Sequence, residues 1–443
     1  MIDFVRSIFA NLGIANLDWL VLLVAYVAVI TIILVTSSAI FMLMVWFERR
    51  IVARMQDRLG PNRVGPAGLF QSIADGAKMF TKEDIVPRAA DQWVHLLAPV
   101  VVLAPVMMIF AVVPWGRGLA PIELSSGLFY VAAISSASTV GLMMAGWASN
   151  NKFALLGAMR AVAQVVSYEI PAVVALLAIV TLTGTMSLTA INDAQAGLPF
   201  VGGTAGGPDL GLGWFVWTPV GLLGFLIFFI CVLSEGERTP FDIPEADSEI
   251  VAGYMTEYSG MKFALFYLGQ FVLNFVLSMV ASIVFLGGWN GPGVVQLAAI
   301  GGWGEAAATV LSVAYLQLKT WALFFVMIWL RGAFPRLRVD QLMGFAWKFL
   351  LPLALVNVLS ASLWLTIRLW GSAPEWTYAL NLFGRDVLAW LTPLAPWARE
   401  LLAIALTGII NLAAFRWLLA ANQEAREQRR FEGAAPENIP FPL

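Results

Sequence analysis

Long apolar runs alternate with shorter polar segments along the 443 residues of the chain. Leu17–Trp46 is the first run. As a helix it would be about 45 Å long, more than the ~30 Å hydrocarbon core, so it must tilt or protrude. Further spans are predicted over His95–Pro114, Leu128–Ala148, Ile170–Leu188, Trp214–Leu233, Ala264–Leu286, Thr309–Leu330 and Phe345–Ile367, with a ninth over Leu401–Leu419. Pro99, Pro105 and Pro171 fall inside spans and predict bends. The Ala-rich stretch Lys152–Glu169 runs as a helix into the span that follows it. Between the first two spans lies a long polar segment, Phe47–Val94. Its centre, residues 59–68, reads as consecutive turns, and Phe70–Phe80 has a helical pattern. The glycine-rich stretches Gly202–Gly213 and Gly287–Gly304 lack the strand context of a nucleotide loop and read as turns.

Composition agrees with a polytopic membrane protein: 60% of residues are hydrophobic and 12% charged. A soluble domain carries about twice that charge. The start of the chain has no basic region followed by an apolar one, so no cleavable signal peptide is expected. Cys231 and His95 are the only cysteine and histidine. Iron–sulfur clusters need several thiolates and bis-histidine haem needs two imidazoles, so redox centres within this chain are excluded. Cys231 reads as a core residue and His95 as a packing residue.

Basic residues set the orientation. One side carries Arg49, Arg50, Arg54, Arg58, Arg63, Lys78, Lys82 and Arg88, then Lys152, Arg160, Arg238, Lys262, Arg331, Arg336, Arg338 and Lys348, and finally the tail. The other side has Arg6, Arg117, Arg368, Arg385 and Arg399. The first side is therefore expected inside and the N-terminus outside. The fold class is all-α with about nine transmembrane helices, eight in a core and one C-terminal, and amphipathic helices in the inside loops.

Most polar chemistry is on the inside. The segment from Leu233 to Tyr258 holds seven acids, Glu235, Glu237, Asp242, Glu245, Asp247, Glu249 and Glu257, against Arg238. It reads either as a solvated acidic loop or as part of a pathway. Glu245 and Glu249 lie one helical turn apart and would also suit the first turn of a helix after Pro244. Glu235 directly follows an apolar run, which favours a functional role. Glu169 would stand about 25 Å along its helix, at membrane depth, where a carboxyl can hold and release a proton. Its bland alternative is an interfacial carboxylate. Arg49 beside Trp46 and Phe47 could line a site for a flat, partly polar ligand, whereas Arg50 equally suits contact with lipid headgroups. Lys319 lies mid-span and calls for a carboxylate or a water cavity. These residues alone leave open a proton- or quinone-linked membrane protein or a cation-coupled transporter.

Four blocks carry a resemblance. They are Glu48-Arg49 with Met55-Gln56, Gly60-Pro61-Asn62, Gly65-Pro66, Asp75 and Lys78; Gly146–Asn150 through Arg160–Gln164 to Ser167-Tyr168-Glu169; Glu235 through Arg238–Asp242 to Glu245, Glu249 and Glu257-Tyr258; and Pro335–Arg338 with Asp340-Gln341 and Trp347. In this order the chain resembles the quinone-site membrane subunit of respiratory complex I, NADH:quinone oxidoreductase. The resemblance covers about residues 40–355.

It implies a chamber where ubiquinone or menaquinone meets the last iron–sulfur cluster of a peripheral subunit, with NADH, FMN and clusters all in partner subunits and no metal ligands here. Trp46, Arg49 and Phe241 would line the quinone path. Asp75, Glu169, Glu235, Glu245 and Glu249 would form a proton relay. Arg63, Arg238, Asp242, Arg336 and Arg338 would dock the peripheral arm. The implied partners are complex I subunits, quinone and lipids, not nucleic acid, and the implied place is a bacterial inner membrane or a mitochondrial one. By the same resemblance, residues 1–367 form the core; the residue pattern alone makes 368–419 a connector with an extra helix and 420–443 a polar inside tail, and the resemblance implies no role for them. Relatives often have Glu-Tyr where this chain has Gln270-Phe271. A membrane-bound hydrogenase subunit remains the alternative within the same fold, and a stand-alone transporter the alternative outside it.

Overall fold

The computed structural model describes residues 18–197, 211–243, 247–369 and 396–433. Glu245, Pro244 and most of the connector from Trp370 lie outside them. The described residues form helices and no strands. In chain order these are α1 (Asp18–Met55), α2 (Gln71–Thr81), α3 (Gln92–Val112), α4 (Gly127–Ala148), α5 (Lys152–Thr183), α6 (Leu188–Asp193) and α7 (Pro219–Glu235). They continue as α8 (Asp247–Ile250), α9 (Gly260–Phe285), α10 (Val294–Ile300), α11 (Trp303–Ala333), α12 (Val339–Phe345), α13 (Leu351–Leu369) and α14 (Pro396–Gly433). A π-helical turn, Ala346–Leu350, joins α12 to α13.

Eight of the helices are long and apolar enough to cross a membrane. The expected fifth span, α7, has 17 residues. That is about 25 Å, the lower end of what spans a bilayer. The chain is an all-α polytopic membrane protein. The predicted boundaries shift mainly at the polar ends. There α1 and α11 run on past their apolar stretches, while α5 joins Lys152–Glu169 to its span as the sequence predicts. Pro99, Pro105 and Pro171 sit within α3 and α5, which run through them unbroken.

The bundle is organised around α9. Phe271 through Phe285 are all buried, including Asn274, Ser278 and Ser282. Small residues let the helices approach one another. A Cβ on Gly141 of α4 would meet the Val102 backbone of α3 at 2.8 Å, and one on Gly157 would meet the Gly253 backbone at 2.6 Å. The helix ends on the basic side are tied by backbone and side-chain contacts. The Asp91 amide donates to Ala148 O (3.1 Å), Lys262 pairs with Asp84 (2.7 Å) and Asn151 donates to Glu257 (2.6 Å). His95 is fully buried and lies flat on Tyr258, ring centres 4.0 Å apart. Burial pushes the Tyr258 hydroxyl above its ordinary range, so that phenol stays neutral.

Lys319 differs from expectation. Its ammonium donates to the carbonyls of Leu286 (2.7 Å), Gly288 (2.8 Å) and Asn290 (2.7 Å) and lies 4.2 Å from the Trp214 ring centre. Sequence reasoning looks for a carboxylate or water. The cation instead caps the end of α9, where carbonyls lack helical donors and the helix dipole is negative.

Candidate functional site

The turn that follows α7 builds the site. Gly236 ends the helix against α9: a Cβ there would overlap the Asn274 amide, and Asn274 Nδ2 donates to Gly236 O at 3.2 Å. Gln164 of α5 grips the turn from the other side, donating from one nitrogen to Ser234 O (2.8 Å) and Phe241 O (2.7 Å). The Leu337 amide donates to Pro240 O at 3.1 Å. A backbone held at these points sends Glu235, Glu237 and Arg238 to different helices.

Arg238 turns inward to Glu48 of α1, with Nη1 at 3.0 and 3.2 Å from the two carboxylate oxygens. Arg331 of α11 donates to the same carboxylate. The Arg238 guanidinium lies 3.9 Å from the centre of the Phe271 ring. Glu48 and Arg238 are both buried. One carboxylate thus joins α1, α11 and the turn. The pattern Glu48-Arg49-Arg50 was visible in sequence, but Arg331 lies 283 positions away and no local signal links the two.

Glu235 faces the opposite way, into the space between α4, α5 and α7. Its charge is within Coulombic reach of Glu169, and Ser135 stands beside it. Ser136 donates to Glu169 Oε1. Buried Oε1 of Glu235 has no hydrogen-bond partner among the described residues. Two expected relay residues, far apart in sequence, therefore come near each other beside neutral hydroxyls. Next to them Tyr168 donates to Leu342 O (2.9 Å) and meets Phe241 edge to face at 5.3 Å, while Trp347 of the π turn donates to Ser167 (3.2 Å).

The third direction was missed in sequence. Glu237, buried, accepts from the Tyr254 hydroxyl (2.9 Å) and from the Gln270 amide of α9. Its alternation with Glu235 and Arg238 gives it no distinguishing mark in a run of acids.

The other expected residues spread over the same basic end of the bundle. Trp46 and Arg50 both donate to Ala67 O, at 3.1 and 3.2 Å, and Arg50 lies over the Trp46 ring at 5.3 Å. Arg49 pairs with Asp75 of α2, which also accepts from Gln71 (3.2 Å), and Ser72 donates to Met42 O (2.9 Å). The amphipathic helix α2 is thereby laid along the end of α1. Arg160 pairs with Glu249 at 2.6 Å and Arg336 with Asp242 at 3.5 Å. Arg63 and Arg338 are exposed. Phe241 is buried in the core rather than lining open space. Glu245 lies outside the described residues.

Residues 27–362 match the family model described as NADH dehydrogenase. The chain belongs to this NADH dehydrogenase family. A relative from Dehalococcoides mccartyi, strain CBDB1, is 43% identical over 341 residues, covering 77% of this chain and 86% of the relative. Its name makes it a subunit of NADH-quinone oxidoreductase. A relative of the same name from Carboxydothermus hydrogenoformans is 42% identical over 342 residues, covering 77% of this chain and 88% of its own. All the clusters above lie within the residues of this NADH dehydrogenase family chain that the family model matches, whereas α14 lies beyond them.

Proposed function

We propose that the chain is the membrane subunit of an NADH:quinone oxidoreductase that forms the quinone chamber with a peripheral subunit and couples quinone reduction to proton translocation. One observation carries the reading: a single turn directs Arg238 to the Glu48–Arg331 cluster at the polar end and Glu235 to Glu169 within the bundle. That turn joins a charged anchoring site to a pair of acids that can change charge.

Quinone, ubiquinone or menaquinone, enters from the bilayer beside Trp46 and Arg49, where aromatic faces and a guanidinium suit a flat ring with carbonyl oxygens. Phe241 backs the wall of the chamber. An iron–sulfur cluster of a partner subunit would supply the electrons. Negative charge on the reduced quinone draws protons toward Asp75, Glu249, Glu245, Glu235 and Glu169, which pass them on toward proton-pumping neighbours. The exposed Arg63, Arg336 and Arg338 and their neighbour Asp242 meet the peripheral arm, with Arg238 bracing that loop from beneath. The basic end faces the cytoplasm or matrix.

The test is Glu235→Gln in the assembled complex. The expected result is normal assembly with quinone reduction or proton pumping reduced by at least about ten-fold, equal to about 1.4 kcal/mol on a barrier. Wild-type values for both would remove Glu235 from the path and with it the reading.

A further inference from the structure

We infer that Glu237 is a further proton-holding residue of the coupling path, its carboxylate standing across a hydrogen bond from the Gln270 amide. The inference rests on the reading just proposed and extends it to a residue that reading does not use. Glu237 is buried at 5% exposure and its backbone is left-handed, φ 50°. A non-glycine residue in that region is strained, and a buried carboxyl must be stabilised by its surroundings. The fold maintains both features in the turn that also aims Glu235.

The groups around it suit a change of charge. Tyr254 donates to Glu237 Oε2 at 2.9 Å, Gln270 Nε2 donates to the same oxygen, and Gln270 Nε2 also lies 2.9 Å from the Tyr254 hydroxyl. A hydroxyl and a primary amide are both reversible hydrogen-bonders. They donate to a carboxylate, and after rotation they accept from a carboxylic acid. A guanidinium, such as the two that hold Glu48, cannot reverse in this way. The scaffold is fixed: Tyr254 is fully buried, its turn packs against Gly157, and Asn274 holds Gly236. The step is one proton onto the carboxylate to give the neutral acid, and the same proton leaving again, with no electron transferred. Gln270 itself cannot take part, because an amide does not titrate near neutral pH. The acid at this junction therefore sits on the turn and not on α9.

The experiment compares Glu237→Gln, Glu237→Gln with Gln270→Glu, and Glu235→Gln in the intact complex. The readouts are quinone-dependent NADH oxidation and proton pumping in proteoliposomes. Glu237→Gln is expected to lower one or both by about ten-fold while the complex assembles. The double exchange moves the acid across the same hydrogen bond and is expected to recover activity to within about two-fold of wild type. A merely structural role would be served by the single amide and would gain nothing from the exchange. Wild-type turnover and pumping in Glu237→Gln, with both lost in Glu235→Gln, overturns this inference alone. Wild-type values in both single variants overturn the reading beneath it. Should Glu237→Gln fail to assemble, an assembled but inactive double exchange overturns the inference. Tyr254→Phe supplies an independent readout. Loss of that donor is expected to move the pH profile of turnover by about half a unit or more, and an unmoved profile counts against Glu237.

Discussion

Glu48 and Glu235 are carboxylates at the ends of two apolar helices, yet their surroundings differ in kind. Glu48 is enclosed by Arg238 and Arg331. Glu235 stands beside Ser135 and near Glu169, which accepts from Ser136. Charge in a low dielectric is held fixed by a partner of opposite sign and can change where the partners are neutral. The first site is built to stay ionised and hold helices together. In the reading proposed above, the second holds the acids that gain or lose a proton. Lys319, capping three carbonyls at the opposite end of the bundle, belongs with the first kind.

Breaking the fixed kind has the largest expected effect. Arg238→Met leaves Glu48 buried with one partner fewer, a change on the order of 3–5 kcal/mol. The expected outcome is loss of assembled complex on a native gel. Adding Glu48→Gln removes the stranded charge and is expected to recover part of the assembly. A single variant that assembles normally contradicts an anchoring role. Lys319→Met comes next, at about 2 kcal/mol, because hydrogen bonds from a cation to the end of α9 are lost. The assembled complex should denature at lower temperature in a detergent melt, with turnover per assembled complex unchanged. A fall in turnover without a change in melting would move Lys319 from the fixed kind to the exchangeable kind.

The exchangeable kind is expected to respond in the reverse manner. Glu169→Gln preserves shape and the bond from Ser136, so melting should stay at the wild-type value. Quinone-linked proton pumping is expected to fall by about ten-fold, equal to about 1.4 kcal/mol on the barrier. A stability loss with normal pumping would class Glu169 with Glu48.

The sequence made much of this legible, and the missing part has a physical pattern. Apolar runs gave the spans, since a run of the right length in lipid must form a helix. The four motif blocks brought Glu48, Glu169, Glu235 and Arg238 into view. What they did not give was pairing. Arg331 reaches Glu48, Ser136 reaches Glu169 and Gln270 reaches Glu237 because separate helices converge, and sequence spacing carries no record of that. Asp75 lies three positions from Lys78 on one helix, yet it pairs with Arg49 of another. Lys319 was misread for the same reason: a helix end can serve a cation as well as a carboxylate can, but only the fold brings the end of α9 to it.

Neutral contacts test whether the comparison reaches beyond the charged sites. Asn411 of α14 donates to Asn357 Oδ1 at 3.2 Å, and Asn357 donates to Val220 O of α7 at 3.1 Å. Arg368 and Glu400 pair at the far end of the same two helices, at 3.5 Å. The extra helix is therefore linked through α13 to the helix that ends in Glu235. The Glu235 end of α7 has its own holder in Gln164, so the two ends should behave independently. Asn411→Leu removes one amide–amide bond within the membrane, a change of about 0.6 kcal/mol by analogy with other membrane bundles. A small drop in melting temperature with unchanged quinone reduction is the expected result. A clear fall in quinone reduction would mean that the position of Glu235 is set along the whole length of α7, making α14 part of the coupling machinery and not an appended support.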